Sequence, residues 1–150
     1  MQHKLFSGYG RIVLLILIGV AVLSGCQAAE SSPVAQVTGK QVKVRDGVYI
    51  DVTPAELDTM LKNKDFTLIN VHTPFEGKIA HTDLLVPYDQ ISEKVSQLPQ
   101  DKNAKILLYC RSGHMSDIAA KSLIRLGYTN IWNLDGGMSA WENAGLPIEH

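Results

Sequence analysis

The stretch Tyr109-Cys110-Arg111-Ser112-Gly113-His114-Met115-Ser116 places a thiol, a fixed cation and a glycine side by side. Before it, Lys105-Ile106-Leu107-Leu108-Tyr109 is a short apolar run of the kind a parallel sheet buries on both faces. After it, Ile118, Ala119, Ser122, Leu123 and Leu126 recur at helical spacing, and Gly127 follows as a stop signal. The pattern predicts a strand delivering Cys110 into a tight loop, with a helix opening at Ser116. At such a turn several backbone N–H groups and the positive end of the helix dipole converge, and a thiolate is stabilised. Arg111 adds charge, and Gly113 lets the backbone turn inward without a side chain in the way. A lone cysteine at a strand end commonly packs as a small hydrophobe. Here the loop around it argues for chemistry: Cys110 as nucleophile, with Arg111, Ser112, Gly113, His114, Met115 and Ser116 around its substrate.

The elements that must position this loop alternate between strand and helix. Val48-Tyr49-Ile50 reads as a first strand. Thr53-Pro54-Ala55-Glu56 is a capping box with proline at the first helical position, opening a helix to about Lys62. Strands follow at Thr67 to Val71 and Leu84-Leu85-Val86, then a helix through Ile91, Val95 and Leu98 that Pro99 helps to end. Beyond the loop, the Ser116 to Leu126 helix precedes a strand near Asn130 to Asn133 and a helix around Met138 to Asn143. Trp132 and Trp141 read as packing residues. This order predicts an α/β domain with a mostly parallel central sheet covered by helices on both faces, its ligands at the carboxyl ends of strands, where Cys110 falls.

Cys-Arg-Ser-Gly, two further residues and a helix opened by Ser116 resemble the active-site loop of rhodanese domains, sulfurtransferases that carry sulfane sulfur as a cysteine persulfide. The resemblance continues through Leu126-Gly127-Tyr128, Asn133-Leu134-Asp135-Gly136-Gly137-Met138-Ser139-Ala140-Trp141 and Gly145-Leu146-Pro147. Upstream it takes in Thr53-Pro54-Ala55-Glu56-Leu57 and Thr67-Leu68-Ile69-Asn70-Val71-His72. It covers residues 44–150. Asn70-Val71-His72 departs from the family's usual Asp-Val-Arg, removing a carboxylate, a permanent cation and any ion pair between them. Gly77-Lys78-Ile79-Ala80-His81-Thr82-Asp83 stands for its Gly-His-Ile-Pro-Gly-Ala, and Met115 for an Arg, Ser or Thr.

At the other end, His3, Lys4 and Arg11 precede an apolar run from Ile12 to Leu23, interrupted only by Gly19, and then Leu23-Ser24-Gly25-Cys26. A basic start, a short apolar stretch and small residues at a cut describe a secretory signal peptide, too short for a comfortable span of about 20 residues, with an uncleaved signal anchor as the second reading. The tetrapeptide resembles the lipobox of bacterial lipoproteins, in which Cys26 is acylated. Residues 1–25 are then the signal peptide, 26–43 a flexible tether and 44–150 the rhodanese-like domain. The domain is expected in the cell envelope, outside the cytoplasm and lipid-anchored to a bacterial membrane. Gln27 in place of Asp favours the outer one where there are two. With Cys26 carrying lipid, Cys110 has no second cysteine in the chain to pair with and stays a free thiol.

The formal net charge is −1, from 14 Lys and Arg against 15 Asp and Glu, with no basic-aromatic stripe, so nucleic acid is not an expected partner. His72, His81 and His114 lack metal-ligand spacing, and no metal or organic cofactor is required. The resemblance implies a small-molecule sulfur donor such as thiosulfate or polysulfide, a Cys110 persulfide, and a thiophilic acceptor such as cyanide or a thiol. A second reading is a carrier or sensor that holds sulfane sulfur and passes it to a protein acceptor. A third is a phosphatase or arsenate reductase, whose loops resemble Cys, five residues, then Arg. Here that last position is Ser116, and the loop looks one residue short for a tetrahedral oxyanion.

Overall fold

The structure is a computed structural model that describes residues 37–150. The signal segment, Cys26 and the first part of the tether lie outside the described residues. Six strands form one sheet: β1 (Lys40–Val44), β2 (Gly47–Val52), β3 (Thr67–Asn70), β4 (Leu84–Leu85), β5 (Ile106–Tyr109) and β6 (Ile131–Leu134). Their order is β1-β2-β6-β5-β3-β4. All neighbouring pairs are parallel except β1 with β2, an antiparallel hairpin at one edge. The central strands β5 and β6 are buried along their whole length, β5 by its unbroken apolar run and β6 with one polar residue, Asn133, whose amide is paired with Asp51.

Three helices supply the cover: α1 (Pro54–Leu61), α2 (His114–Arg125) and α3 (Gly137–Asn143). On one face Ala119, Ala120 and Leu123 of α2 pack with Ile69, Ile106 and Leu108, joined by Val86, Ile91 and Leu98. On the other, Leu57 of α1 and Met138 and Trp141 of α3 pack with Leu68, Leu107 and Leu134. The expected α/β architecture is the one observed. The capping box forms as written: Glu56 N–H donates to Thr53 Oγ1 at 3.3 Å and Thr53 N–H to Glu56 Oε2 at 2.8 Å. Such a cap contributes about 1 kcal/mol.

Two expectations are corrected. The tether does not extend to residue 43, because Lys40–Val44 pair with Gly47–Val52, Lys40 opposite Asp51. And residues 88–98 form no α-helix. They run as successive tight turns, with N–H groups of Gln90, Glu93, Gln97 and Leu98 each donating to the carbonyl three residues back, and only Val95–Gln97 a short 3-10 helix. Ile91 and Leu98 still reach the core, so the apolar spacing recorded burial rather than helical geometry.

Asp51 on β2 accepts a hydrogen bond from Asn133 Nδ2 at 2.8 Å. Burial nevertheless pushes its carboxyl above the ordinary value of 3.8, with the negative charge of Asp135 adding to the shift and Asn133 opposing it. The native state therefore binds this proton more tightly than the unfolded chain. Its contribution is fully present below 3.8 and is lost as pH rises through the raised native value. Asp51→Asn removes that dependence. Thermal melts across the acid range should show wild type losing stability relative to the variant as pH rises; a constant difference would contradict the burial effect.

Candidate active site

Strand β5 ends at Tyr109, whose phenol is anchored below the site. Its oxygen accepts from Ile79 N–H at 3.0 Å and lies 2.6 Å from Thr82 Oγ1. Burial raises its pKa, which keeps it a neutral phenol. The next residue, Cys110, is 1% exposed and is a free cysteine. Its Sγ accepts a hydrogen bond from Gly113 N–H at 3.1 Å and lies 3.6 Å from the Ser116 hydroxyl. Ser116 Oγ is also 3.0 Å from the Gly113 carbonyl. One hydroxyl proton cannot serve both acceptors. With a thiolate it turns to sulfur; with a thiol it turns to the carbonyl and the hydroxyl oxygen accepts from S–H. Gly113 makes the turn at φ 94°, a region closed to most side chains.

The helix α2 starts at His114, two residues before the sequence pattern put it, and no side chain caps its N-terminus. Its first-turn N–H groups lack intrahelical partners and face the loop end of the helix. The opposite helix, α3, is used differently. Met138 N–H donates to the Cys110 carbonyl at 2.8 Å and Ser139 N–H to the Arg111 carbonyl at 2.9 Å. In a planar trans peptide the N–H opposes the C=O, so the amides of Arg111 and Ser112 point away from α3. The Cys110 and Arg111 carbonyls are thus drawn toward α3 and the amides that follow them away from it, while the Gly113 amide is the loop donor on the sulfur.

Arg111, Ser112 and His114 are exposed, Gly113 and Met115 half-buried, and Ser116 buried. Met115 packs against the core cluster that contains Cys110, so its side chain serves packing. Arg111 is not a free cation: its Nη1 lies 3.4 Å from Glu76 Oε2, and the same oxygen is 3.3 Å from His72 Nε2. A carboxylate and a cation therefore do meet beside the loop, supplied by Glu76 and Arg111 in place of the expected missing pair. Asn70 is buried and neutral in its role: it accepts from His72 N–H at 2.9 Å and donates to the Gly77 carbonyl at 2.9 Å. These two bonds close the loop 72–77, which includes a cis Thr73–Pro74 peptide. A surface groove of about 450 Å³ lies elsewhere, between Lys43, Arg45 and Asp46 and the C-terminal half of α2.

The chain that builds this strand-borne cysteine, in a loop that opens a helix and is closed from the other side by a double glycine, has relatives among known proteins. The profile of the family described as Rhodanese-like domain covers residues 53–144. The chain belongs to this family. A sulfurtransferase of Allochromatium vinosum is 38% identical over 88 residues, 57% of this chain and 79% of that protein. The thiosulfate sulfurtransferase GlpE of Vibrio cholerae is 29% identical over 104 residues, covering 68% of this chain and 94% of the relative. A solved rhodanese-related protein of Thermoplasma volcanium superposes with a TM-score of 0.56 at 31% identity, over 65% of this chain and 95% of that one. Some longer relatives are spanned over only 31% or 24% of their length.

Within this rhodanese-like domain Glu76 has no sequence signature of its own; its spacing of four from His72, in a segment with proline between them, is the one available hint. The contribution of Gly137 is likewise spatial. It adopts φ 58°, and a Cβ there would overlap the Cys110 carbonyl oxygen and lie 2.8 Å from the Arg111 carbonyl carbon. Gly137→Ala should destabilise the domain by about 2–4 kcal/mol, combining left-handed strain with overpacking. It should also change the rate at which Cys110 reacts with an alkylating agent. Unchanged denaturation and reactivity would show that the loop does not depend on this contact.

Proposed function

We propose that the domain is a sulfurtransferase that moves sulfane sulfur from thiosulfate or a polysulfide to a thiophilic acceptor through a persulfide on Cys110. The observation that carries this reading is the Cys110 sulfur held among donors, Gly113 N–H at 3.1 Å and the Ser116 hydroxyl at 3.6 Å, at the uncapped start of α2. Membership of the family, and relatives named as sulfurtransferases, support it.

In the first half-reaction the thiolate attacks the outer sulfur of the donor. A bond forms between Cys110 Sγ and that sulfur as the donor's own S–S bond breaks. Its electron pair leaves with sulfite when thiosulfate is the donor. The terminal sulfur then carries negative charge, which the preorganised amides of the loop and of the first turn of α2 are placed to stabilise. In the second half-reaction cyanide or a thiol takes that sulfur and the Cys110 thiolate is regenerated, a ping-pong cycle. Arg111, Ser112, Gly113, His114 and Ser116, with the backbone of Met115, form the wall against which donor and acceptor bind. With Cys110 1% exposed, the outer sulfur of a donor must reach a recessed thiol.

The test uses the full chain in detergent, reduced and treated with thiosulfate, with intact mass taken before and after cyanide. A gain of one sulfur atom that cyanide removes repeatedly as thiocyanate is expected, and Cys110→Ser should gain none. Sulfur transfer by Cys110→Ser would overturn the mechanism, and a gain that cyanide cannot discharge would favour the carrier.

We further propose that lipid on Cys26 anchors the domain to a bacterial membrane, outside the cytoplasm, on the strength of Leu23-Ser24-Gly25-Cys26 following an apolar run. Cys26→Ala should leave the protein unprocessed or release it from the membrane fraction. An acylated, membrane-bound variant would refute the anchor.

A further inference from the structure

Among the described residues Glu76 is the acidic side chain paired with a residue of the thiol loop, and its neighbours define what it does. Its Oε2 lies 3.4 Å from Arg111 Nη1 and 3.3 Å from His72 Nε2. The His72 side chain is 9% exposed, and neither ring nitrogen makes a hydrogen bond. The carboxylate therefore lies within reach of a buried imidazole as well as of the guanidinium. The backbone that carries it is held in place. Asn70 ties both ends of the 72–77 loop, and Lys78 and Glu149 exchange two backbone hydrogen bonds of 2.8 Å immediately after it. Between them Gly77 takes φ 125°, where a Cβ would lie 2.7 Å from Ile148 Cγ2.

We infer that Glu76 determines donor specificity, turning the site against dianionic donors such as thiosulfate and toward organic persulfides that carry at most one negative charge. The inference rests on the sulfurtransferase reading above. Arg111 is the cation nearest the thiol in sequence, and with Glu76 upon it the pair sums to no net charge. A dianion approaching the loop meets the amides and the helix dipole, but it must also displace the carboxylate from Arg111 or accept its repulsion. A monoanionic persulfide, R–S–S⁻, meets half that opposition. Its reaction balances without a further reagent: Cys110 Sγ bonds to the terminal sulfur, the S–S bond of the donor breaks, and RS⁻ leaves with the electron pair. Glu76 and Arg111 are both about half exposed, so water screens the effect and its size is moderate.

The experiment compares kcat/KM for thiosulfate and for the hydropersulfide of 2-mercaptoethanol, with cyanide as acceptor, in the full chain and in Glu76→Gln. The ratio of thiosulfate to hydropersulfide should rise about five- to tenfold in the variant. The rise should shrink as salt is raised from ~0.02 to ~0.5 M. Glu76→Ala should move the ratio the same way. An unchanged ratio, or one that falls, would overturn the inference and assign Glu76 to holding the loop or aiming Arg111. If the wild-type protein gains sulfur from neither donor, the sulfurtransferase reading itself fails and the inference falls with it.

Discussion

The backbone of Gly137 lies against the carbonyls of Cys110 and Arg111, and the geometry of the thiol loop depends on that approach. No side chain fits between them. Because the two helices meet the loop from opposite sides, the contact divides the polar groups. The N–H groups of Met138 and Ser139 are satisfied by loop carbonyls, at 2.8 and 2.9 Å, while α2 keeps a free first turn toward the sulfur. The sheet makes this division rigid. Strand β5 is buried along its length between β6 and β3, and Tyr109 is bonded through its phenol to Ile79 and Thr82, so Cys110 emerges from a fixed point.

A consequence is that the positive character of the site comes from backbone more than from side chains. Peptide dipoles carry no counterion, and the fold holds them fixed. The side-chain charges are nearly balanced instead. Asn70 contributes neutral hydrogen bonds to the 72–77 loop, and Arg111 faces Glu76. The loop that follows β3 is thus a second wall of the site, set against the thiol loop that follows β5. The parallel pairing of Asn70 with Tyr109 brings the ends of those two strands together.

Much of this was legible in the order of residues. The capping box at Thr53, the apolar run ending at Tyr109 and the helical spacing after Ser116 each follow from local chemistry, and each element formed within a few residues of its expected bounds. The segment from Pro87 to Pro99 was less legible. Apolar residues seven apart suit a helix or a chain of tight turns, and only the packing of Ile91 and Leu98 against the sheet selects between them. Strand β1 was hidden for a related reason. Its alternation is short and half-exposed, and its hydrogen-bonding partner is the antiparallel strand β2.

The sequence by itself determined the α/β alternation, the position of the thiol at a strand-to-helix turn and the glycines that the turn needs, because these depend on neighbours within one helical turn or one strand. Only the tertiary structure decided which groups surround the sulfur's loop from afar. Gly137 approaches from α3 and Glu76 from beyond β3, and no rule of local spacing relates either to Cys110. Sheet pairing does, because it brings the carboxyl ends of separate strands to one edge, where backbone approach and charge compensation act over a few ångströms of space whatever the distance along the chain.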